Sequence, residues 1–506
     1  MNKVLYQFLF ILITVNLVFT QSINDSFSQK KMTKDFEIFK NIRLQANSGL
    51  YKYRTKAQID SIYNWAAVAI KNSNTYRDFF NIICQLTDFE GSLHNDTYLP
   101  KKNSHSLRNE ENGYFPYPIK WIANKWIINY NKGEIPLGSE ILSINDEKIE
   151  TIIQNLYKYY TTDGVNTTGK RIGITTNFSK YFRLHYGSYN QFVIEYKIKD
   201  SNEIKKATLT SISNSAYYKN IAQRYSYPFD QVNYKHWQEN EKYSYKLIDT
   251  ETGLLIINSF AMGDENDSRH LKYLSFLDSI FSNIKETNIK NIIIDVRYNG
   301  GGTDPNDIVT YSYLTNRNFS ENKQAWISFH KIPYLRYIDS NFPAILRPLG
   351  VGKYNREFQK DFPKKEKEHF YQDATSNDHK IRLPNKNAFN GTVYLLISPR
   401  VASAGSLFAA MVAGNTNTIV IGEETMGGYY GHNGHTKLEY VLPHSKLGIS
   451  FSVVNLEQDV PKKENQHYNR GIIPDHKVSQ TYEDYLNHQD TQMNFVLDLI
   501  NKKGVQ

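Results

Sequence analysis

The chain is nearly devoid of cysteine, with one, Cys84, in 506 residues. A single cysteine cannot form an internal disulfide. Cys84 lies in the apolar run FFNIICQL (residues 79–86), where a thiol packs as a small hydrophobic group. We therefore exclude a cysteine nucleophile and a cysteine-based zinc site.

The sequence also lacks a concentration of charge of one sign. Its 60 basic and 51 acidic residues leave a formal charge of +9, and the basic runs Lys30–Lys34 and Lys364–His369 are short. Nucleic-acid-binding proteins need a basic stripe or patch on their surface. We therefore expect a solvated basic surface and no nucleic-acid partner. The 40% hydrophobic content is ample for packed cores.

Long apolar runs are absent beyond the N-terminus. There, one lysine precedes the apolar stretch Val4–Phe19, and the polar Thr20-Gln21-Ser22 follows. This pattern predicts a signal peptide over residues 1–20, cleaved near Thr20, with a retained anchor as the alternative. No other stretch approaches the roughly 20 apolar residues of a spanning helix. We expect a secreted or periplasmic protein with no stable membrane insertion after cleavage.

Periodicity divides the remaining chain into regions of different character. Apolar spacing near 3.6 predicts an N-terminal helical domain over residues 21–110, with helices at Asp35–Asn47, Thr55–Asn72 and Thr75–Phe89. Residues 111–215 read as a β-rich module with one helix. Strands and helices alternate over 216–490, which predicts a mixed or parallel sheet covered by helices. A polar insert interrupts this region at 320–385, and residues 491–506 form a C-terminal helix or tail.

Two runs in the alternating region carry candidate chemistry: NIIIDVRYNGGG (Asn291–Gly302) and LLISPRVASAGSLFAAM (Leu395–Met411). Each is a β-type run that ends in a special loop, at the strand end where sites form in such sheets. Ser403, at a bend that opens a helix, is the candidate nucleophile, and an N-cap role is its alternative. The amides of Ala404, Gly301 and Gly302 are candidate oxyanion donors.

These runs resemble the tail-specific (C-terminal-processing) serine peptidases, the clan that contains the tricorn core peptidase. DVRYNGGG is similar to the family's D-x-R-x-N-x-G-G loop, SAGSLFA (Ser403–Ala409) to its nucleophile turn, and GEETMGG (Gly422–Gly428) to its G-E-x-T-x-G loop. NRGIIPD (Asn469–Asp475) resembles the closing G-V-x-P-D segment. The resemblance implies a mixed βαβ, crotonase-like peptidase core, a PDZ-like domain within 111–215, and substrate contacts at Gly427 and Gly428.

The resemblance also bears on the catalytic base. Many members use a lysine just after the G-E-x-T-x-G loop, where this chain has none. The tricorn-like branch uses a histidine, and the resemblance transfers that role to His94, in GSLH (Gly91–His94). An imidazole suits proton removal from a serine. His432 and His435 are competing bases. Candidates for orienting the base, or for replacing it, are Ser92, Asp96, Glu423, Glu424 and Glu464.

We therefore expect an exported serine endopeptidase that cleaves polypeptide substrates through an acyl-enzyme, with Ser403 and His94 as its catalytic residues. The alternative is a catalytically inactive, peptide-binding relative. A hydrolase of non-peptide esters is a third possibility. No metal or cofactor is expected, and the sequence leaves the oligomeric state open.

Overall fold

The computed structural model describes residues 22–201, 203–226, 238–340 and 347–504. The predicted signal peptide lies outside the described residues. Within these ranges, no helix combines the length and the apolar character needed to cross a bilayer.

The described helices are α1 (Gln29–Ala46), α2 (Lys56–Lys71), α3 (Tyr76–Phe89), α4 (Lys101–Arg108), α5 (Ile149–Leu156), α6 (Thr168–Tyr186), α7 (Asn214–Ala222), α8 (Ser268–Glu286), α9 (Asn306–Ser312), α10 (Arg347–Asp361), α11 (Ala404–Ala413), α12 (Tyr482–Leu486) and α13 (Thr491–Gly504). The strands are β1 (Asp96–Tyr98), β2 (Ile119–Ile122), β3 (Lys125–Ile128), β4 (Glu140–Ile144), β5 (Glu147–Lys148), β6 (Gln191–Lys197), β7 (Ile204–Thr210), β8 (Tyr243–Leu247), β9 (Thr252–Ile257), β10 (Asn291–Asp295), β11 (Asn322–Ile327), β12 (Lys364–Glu366), β13 (His369–Tyr371), β14 (Thr392–Ile397), β15 (Thr418–Gly422), β16 (Asn433–Val441), β17 (Gly448–Gln458) and β18 (His476–Lys477). The expected mixed α/β fold with several sheets is confirmed.

The N-terminal helices begin at local capping signals. Thr55 and Thr75 each accept a hydrogen bond from the third amide of the helix that follows, and the side chain at that third position bonds back, which makes two capping boxes. Helix α3 ends at Phe89, and Gly91 then turns the chain with φ +71°. This turn brings the segment that carries His94 out of the helical layer.

A second layer is the sheet β2-β3-β4-β6-β7, in which β5 pairs with β4. Tight turns at Ala123-Asn124 and Asn145-Asp146 have positive φ at all four residues, as two-residue hairpin turns of type I′ require. The expectation of one helix within residues 111–215 was wrong, because a second long helix, α6, follows α5. Helix α6 buries Lys170 and Arg183 as well as Ile174 and Phe178. Because it buries polar as well as apolar side chains, it shows no clean apolar stripe.

The main sheet has the order β18-β15-β14-β10-β9-β8. Strands β9, β10, β14, β15 and β18 run parallel, and β8 is antiparallel to β9. Strands β10 and β14 are direct neighbours, with Asp295 opposite Leu396. The loops that follow these two strands therefore emerge side by side at one edge of the sheet.

A third sheet, β1-β17-β11-β13-β12 with β16 on β17, connects distant parts of the chain. Strand β1, just after His94, pairs with β17 through Asp96 and Ser450. Strands β11, β12 and β13 come from residues 320–385, so this polar segment supplies part of a sheet. The β16–β17 hairpin consequently lies beside the segment that carries His94.

Candidate active site

Ser403 has an unusual backbone conformation, with φ 51° and ψ −135°. A positive φ is uncommon for a residue other than glycine, and such strain clusters at functional sites. Ser403 precedes α11 in the N-cap position, but its side chain makes no capping hydrogen bond. The turn resembles the strained strand-to-helix elbow that exposes a serine hydroxyl in other hydrolases. The N-cap alternative therefore lacks its defining contact.

The start of α11 leaves one amide available. The N–H groups of Gly405 and Ser406 both donate to the Ala402 carbonyl, whereas that of Ala404 has no acceptor among the described residues. The Ser406 hydroxyl is buried and donates to the Ser403 carbonyl at 2.7 Å. Ser406 thus stabilises the turn, and the Ala404 amide is free to donate at the positive end of a helix.

The glycine loop after β10 lies directly against Ser403. A Cβ placed on Gly301 would be 2.8 Å from the Ser403 Cβ and 3.2 Å from the Ala404 nitrogen. The Gly301 N–H donates to the Asn299 Oδ1 at 2.9 Å. In contrast, the Gly302 N–H has no acceptor in the part of the chain that the structure describes. Of the two predicted glycine donors, Gly302 has the available amide.

A buried ion-pair network holds this loop in shape. Arg297 pairs with Asp295 and with Asp490, at 2.7 Å in each case. The Arg297 carbonyl also accepts from the Ser398 hydroxyl at 2.5 Å. These contacts tie the loop after β10 to the loop after β14 and to the C-terminal α13 region. Asp295 and Arg297 therefore support the site structurally.

His94 is positioned by a backbone carbonyl. Its Nδ1 lies 2.6 Å from the Asn433 carbonyl oxygen, at the start of β16. A carbonyl only accepts, so Nδ1 carries the proton and Nε2 is left as the acceptor. Burial lowers the pKa of His94 to about 4, and the hydrogen bond to Asn433 opposes this shift. The imidazole is consequently neutral at physiological pH, in the form a general base requires.

Asp163 connects the His94 segment with the Gly427–Gly428 loop, and our sequence reasoning missed it. Its carboxylate accepts from the N–H of Leu93 and from the N–H of Gly428, both at 3.0 Å. Asp163 is fully buried, and burial raises its pKa to about 7. An Asp-Gly pair indicates a turn, and nothing in the local sequence marks Asp163 as a link to the site.

A further set of hydrogen bonds joins this loop to the serine turn. The N–H groups of Met426 and Gly427 both donate to the carbonyl of Val401, two residues before Ser403. A side chain at Gly427 would meet the Ser406 hydroxyl at 2.1 Å. The segments that carry His94, Gly428 and Ser403 are thus linked by a continuous series of contacts.

The other predicted residues occupy different places. His432 is buried beside His94, with ring centroids 5.1 Å apart. The His435 Nε2 lies 3.7 Å from the Asp378 carboxylate. Ser92 is buried and its hydroxyl has no hydrogen-bond partner among the described residues.

The three glutamates make no hydrogen bond to His94. Glu424 pairs with Arg470 and accepts from the Gly471 N–H. Glu423 accepts from the Ser479 hydroxyl at 3.0 Å. Glu464 is exposed. The hydrogen bond that orients His94 in this structure therefore comes from the main chain.

Comparison with known proteins identifies the domain that carries this arrangement. Residues 251–478 match the model of peptidase family S41. The chain carries a serine-type peptidase domain of this family. The matched segment includes the glycine loop, Ser403 and Gly427-Gly428, whereas His94 and Asp163 precede it.

Solved structures show a likeness of fold over most of the chain. Mature CPAF complexed with lactacystin has a TM-score of 0.59 at 12% identity, over 94% of this chain and 98% of that one. Mature CPAF has a TM-score of 0.58 at 12% identity, over 91% and 94% of the two chains. The tricorn protease has a TM-score of 0.36 at 14% identity, over 93% of this chain and 37% of that one. No curated protein matches the sequence. The CPAF likeness shows that the fold extends beyond the S41 domain.

Proposed function

We propose that the protein is an exported serine endopeptidase that cleaves polypeptide substrates through an acyl-enzyme on Ser403. The observation that carries this proposal is the strained Ser403 turn, with its hydroxyl unused by the helix and the unpaired Ala404 amide beside it. A serine that only capped a helix would have a relaxed backbone and a hydrogen-bonded side chain. A peptide is the substrate class of the family whose model this domain matches.

In this mechanism His94 Nε2 accepts the Ser403 proton while the serine oxygen attacks the peptide carbonyl. The Nδ1–H bond to Asn433 holds the ring and its tautomer, as a carboxylate does in other serine hydrolases. The amides of Ala404 and Gly302 stabilise the negative oxygen of the tetrahedral intermediate. His94 then protonates the leaving amine, and water hydrolyses the resulting ester through the same base.

A groove between two layers supports recognition of an extended chain end. It has a volume of 310 Å³ and lies between the edge strand β2 and helix α6. A peptide added alongside β2 would extend the sheet, which is how PDZ-like modules bind their ligands. Lys120, Arg171 and Lys477 line the groove together with Glu423, and this excess of positive charge suits a terminal carboxylate. We propose that this PDZ-like module delivers polypeptide tails to the peptidase domain.

The proposal of export rests on the sequence of residues 1–20. It is tested by expressing the full chain in a secreting host and sequencing the N-terminus of the exported product. A mature protein that starts near Gln21 supports export. Protein that stays inside the cell with Met1 intact contradicts it.

A fluorophosphonate probe tests the catalytic assignment directly. We expect the wild-type protein to be labelled, Ser403→Ala to be unlabelled, and His94→Ala to be labelled much more slowly. His432→Ala is the matched control, since His432 is the neighbouring imidazole. If His432→Ala, and not His94→Ala, slows labelling, the base assignment is wrong. An unlabelled wild-type protein indicates the inactive, peptide-binding alternative, and a panel of peptides and esters separates a peptidase from an esterase.

A further inference from the structure

Three carboxylates converge just beyond the glycine loop, in the described part of the chain. Asp304, Asp307 and Glu321 each place one oxygen within 4.8 Å of the others. Asp304 is exposed, whereas Asp307 and Glu321 are 0% and 2% exposed. The peptidase mechanism uses none of these side chains.

Two members of this cluster are buried with carboxylate oxygens that lack well-formed hydrogen bonds. Neither carboxylate oxygen of Asp307 makes a well-formed hydrogen bond with any described residue, and the same holds for Glu321 Oε2. An unpaired charge is costly to bury, and such a group must be paired, protonated or bound to a metal. Burial raises the pKa of both groups well above the usual range, and the neighbouring carboxylates of the cluster add to the effect. The charge of Arg382 opposes this shift for both groups, and the backbone N–H groups of Asp307 and Ile308 oppose it for Asp307.

Other buried carboxylates of this protein have hydrogen-bond or ion-pair partners. Asp35 accepts from the N–H groups of His444 and Ser445 at 3.0 and 2.6 Å. Asp295 pairs with Arg297, and Asp163 accepts the two amides already described. In contrast, no ion pair with the cluster is formed by Arg382, whose charge acts on all three carboxylates. Its Nη1 donates to the carbonyls of Asn377 and Lys380.

We propose that Asp304, Asp307 and Glu321 bind one hard divalent cation of the Ca²⁺ or Mg²⁺ class. These cations take oxygen ligands, and both oxygens of Asp307 and Oε2 of Glu321 are buried without a well-formed hydrogen bond to any described residue. Calcium–oxygen distances of roughly 2.3–2.6 Å place opposite ligands about 4.6–5.2 Å apart. The spacing of the three oxygens is compatible with that sphere. One divalent ion would offset two of the three negative charges.

The surroundings of the three carboxylates give a cation access to them and connect them to the glycine loop. Asp304 also lines a cavity of 500 Å³, through which a hydrated ion can reach the cluster. Asn306, between the two aspartates, donates to the carbonyls of Phe260 and Thr303 at 3.1 and 2.6 Å. Phe260 in turn pairs with Gly302. A bound cation would therefore brace the downstream end of the glycine loop.

Calorimetric titration of the full chain, stripped with EDTA, with CaCl2 and with MgCl2 tests this proposal. We expect saturable 1:1 binding of one of the two salts, and an increase of Tm with that salt. Asp307→Asn and Glu321→Gln should each weaken binding by more than about tenfold, since loss of even an outer partner of a metal ligand typically costs 10–100-fold. Glu265→Gln, on the same cavity wall but outside the cluster, is the matched control and should bind as the wild type does.

The thermal data without cation separate a binding defect from misfolding. Asp307→Asn replaces a buried carboxyl that lacks a well-formed hydrogen bond by a neutral amide of similar shape, so the variant should unfold no earlier than the wild type in EDTA while losing its response to the cation. The proposal is overturned if neither salt binds the wild type at up to about 10 mM, above the weakest calcium modules. A cation response that survives in both cluster variants also overturns it. These binding readouts do not depend on peptidase activity.

Discussion

Replacement of Gly301 by alanine should disable the site while leaving the protein folded. Gly301 has φ +111°, a conformation that residues with a Cβ rarely adopt. The new methyl would lie 2.8 Å from the Ser403 Cβ, about 1 Å closer than carbon atoms normally pack. Relief of this contact moves either the serine turn or the glycine loop by about 1 Å. A displacement of that size can reduce the rate by about 10²-fold.

The neighbouring glycine provides a matched control. A Cβ on Gly300 would meet nothing within 4 Å, so Gly300→Ala should retain most of the activity. The assay is kcat/KM on a fluorogenic peptide or, where no substrate is known, the rate of fluorophosphonate labelling, with Tm measured for both variants. Equal activity of the two variants, or a Gly301→Ala enzyme as fast as the wild type, would refute the close approach of the loop to Ser403.

Further predictions address three residues around the site, His94, Asp163 and Arg297. The acid limb of kcat/KM should be half-maximal near pH 4, because burial holds the pKa of His94 at about 4, and a midpoint near 6.5 would contradict this. Asp163→Asn should lower kcat/KM about 5- to 150-fold, since one of two buried amides loses its acceptor at about 1–3 kcal/mol. Because folding raises the pKa of Asp163 to about 7, its contribution to stability is present below pH 3.8 and lost as the pH rises through 7. In Asp163→Asn, the free energy of unfolding measured with urea should therefore vary less with pH between 3.8 and 7 than in the wild type. The same pH dependence in both proteins would contradict this. Arg297→Ala leaves two buried aspartates unpaired and should lower the free energy of unfolding by about 3–5 kcal/mol. The control Arg269→Ala, at an exposed ion pair, should change the free energy of unfolding by less than about 1 kcal/mol. Equal losses in the two variants would contradict the buried network.

Local signals in the sequence predicted much of the fold. The predicted helices Thr55–Asn72 and Thr75–Phe89 match α2 and α3 to within one residue at each end, and Ser403 opens α11 as expected. These features depend on short-range physics, since caps, turns and apolar runs act over a few residues. Helix α6 was missed because its polar side chains are buried by other layers, which a periodicity of apolar residues does not register.

The sequence by itself determined that two β-type runs end in a triple-glycine loop and a serine turn, and it pointed to His94 through family resemblance. Only the tertiary structure decided which contacts hold these segments in place. The Asn433 carbonyl that positions His94 lies 339 residues along the chain. Since every residue has a carbonyl, this partner leaves no mark in the sequence. Similarly, the buried links of Asp163, and the unpaired state of Asp307 and Glu321, exist only once separate strands pack together and exclude water.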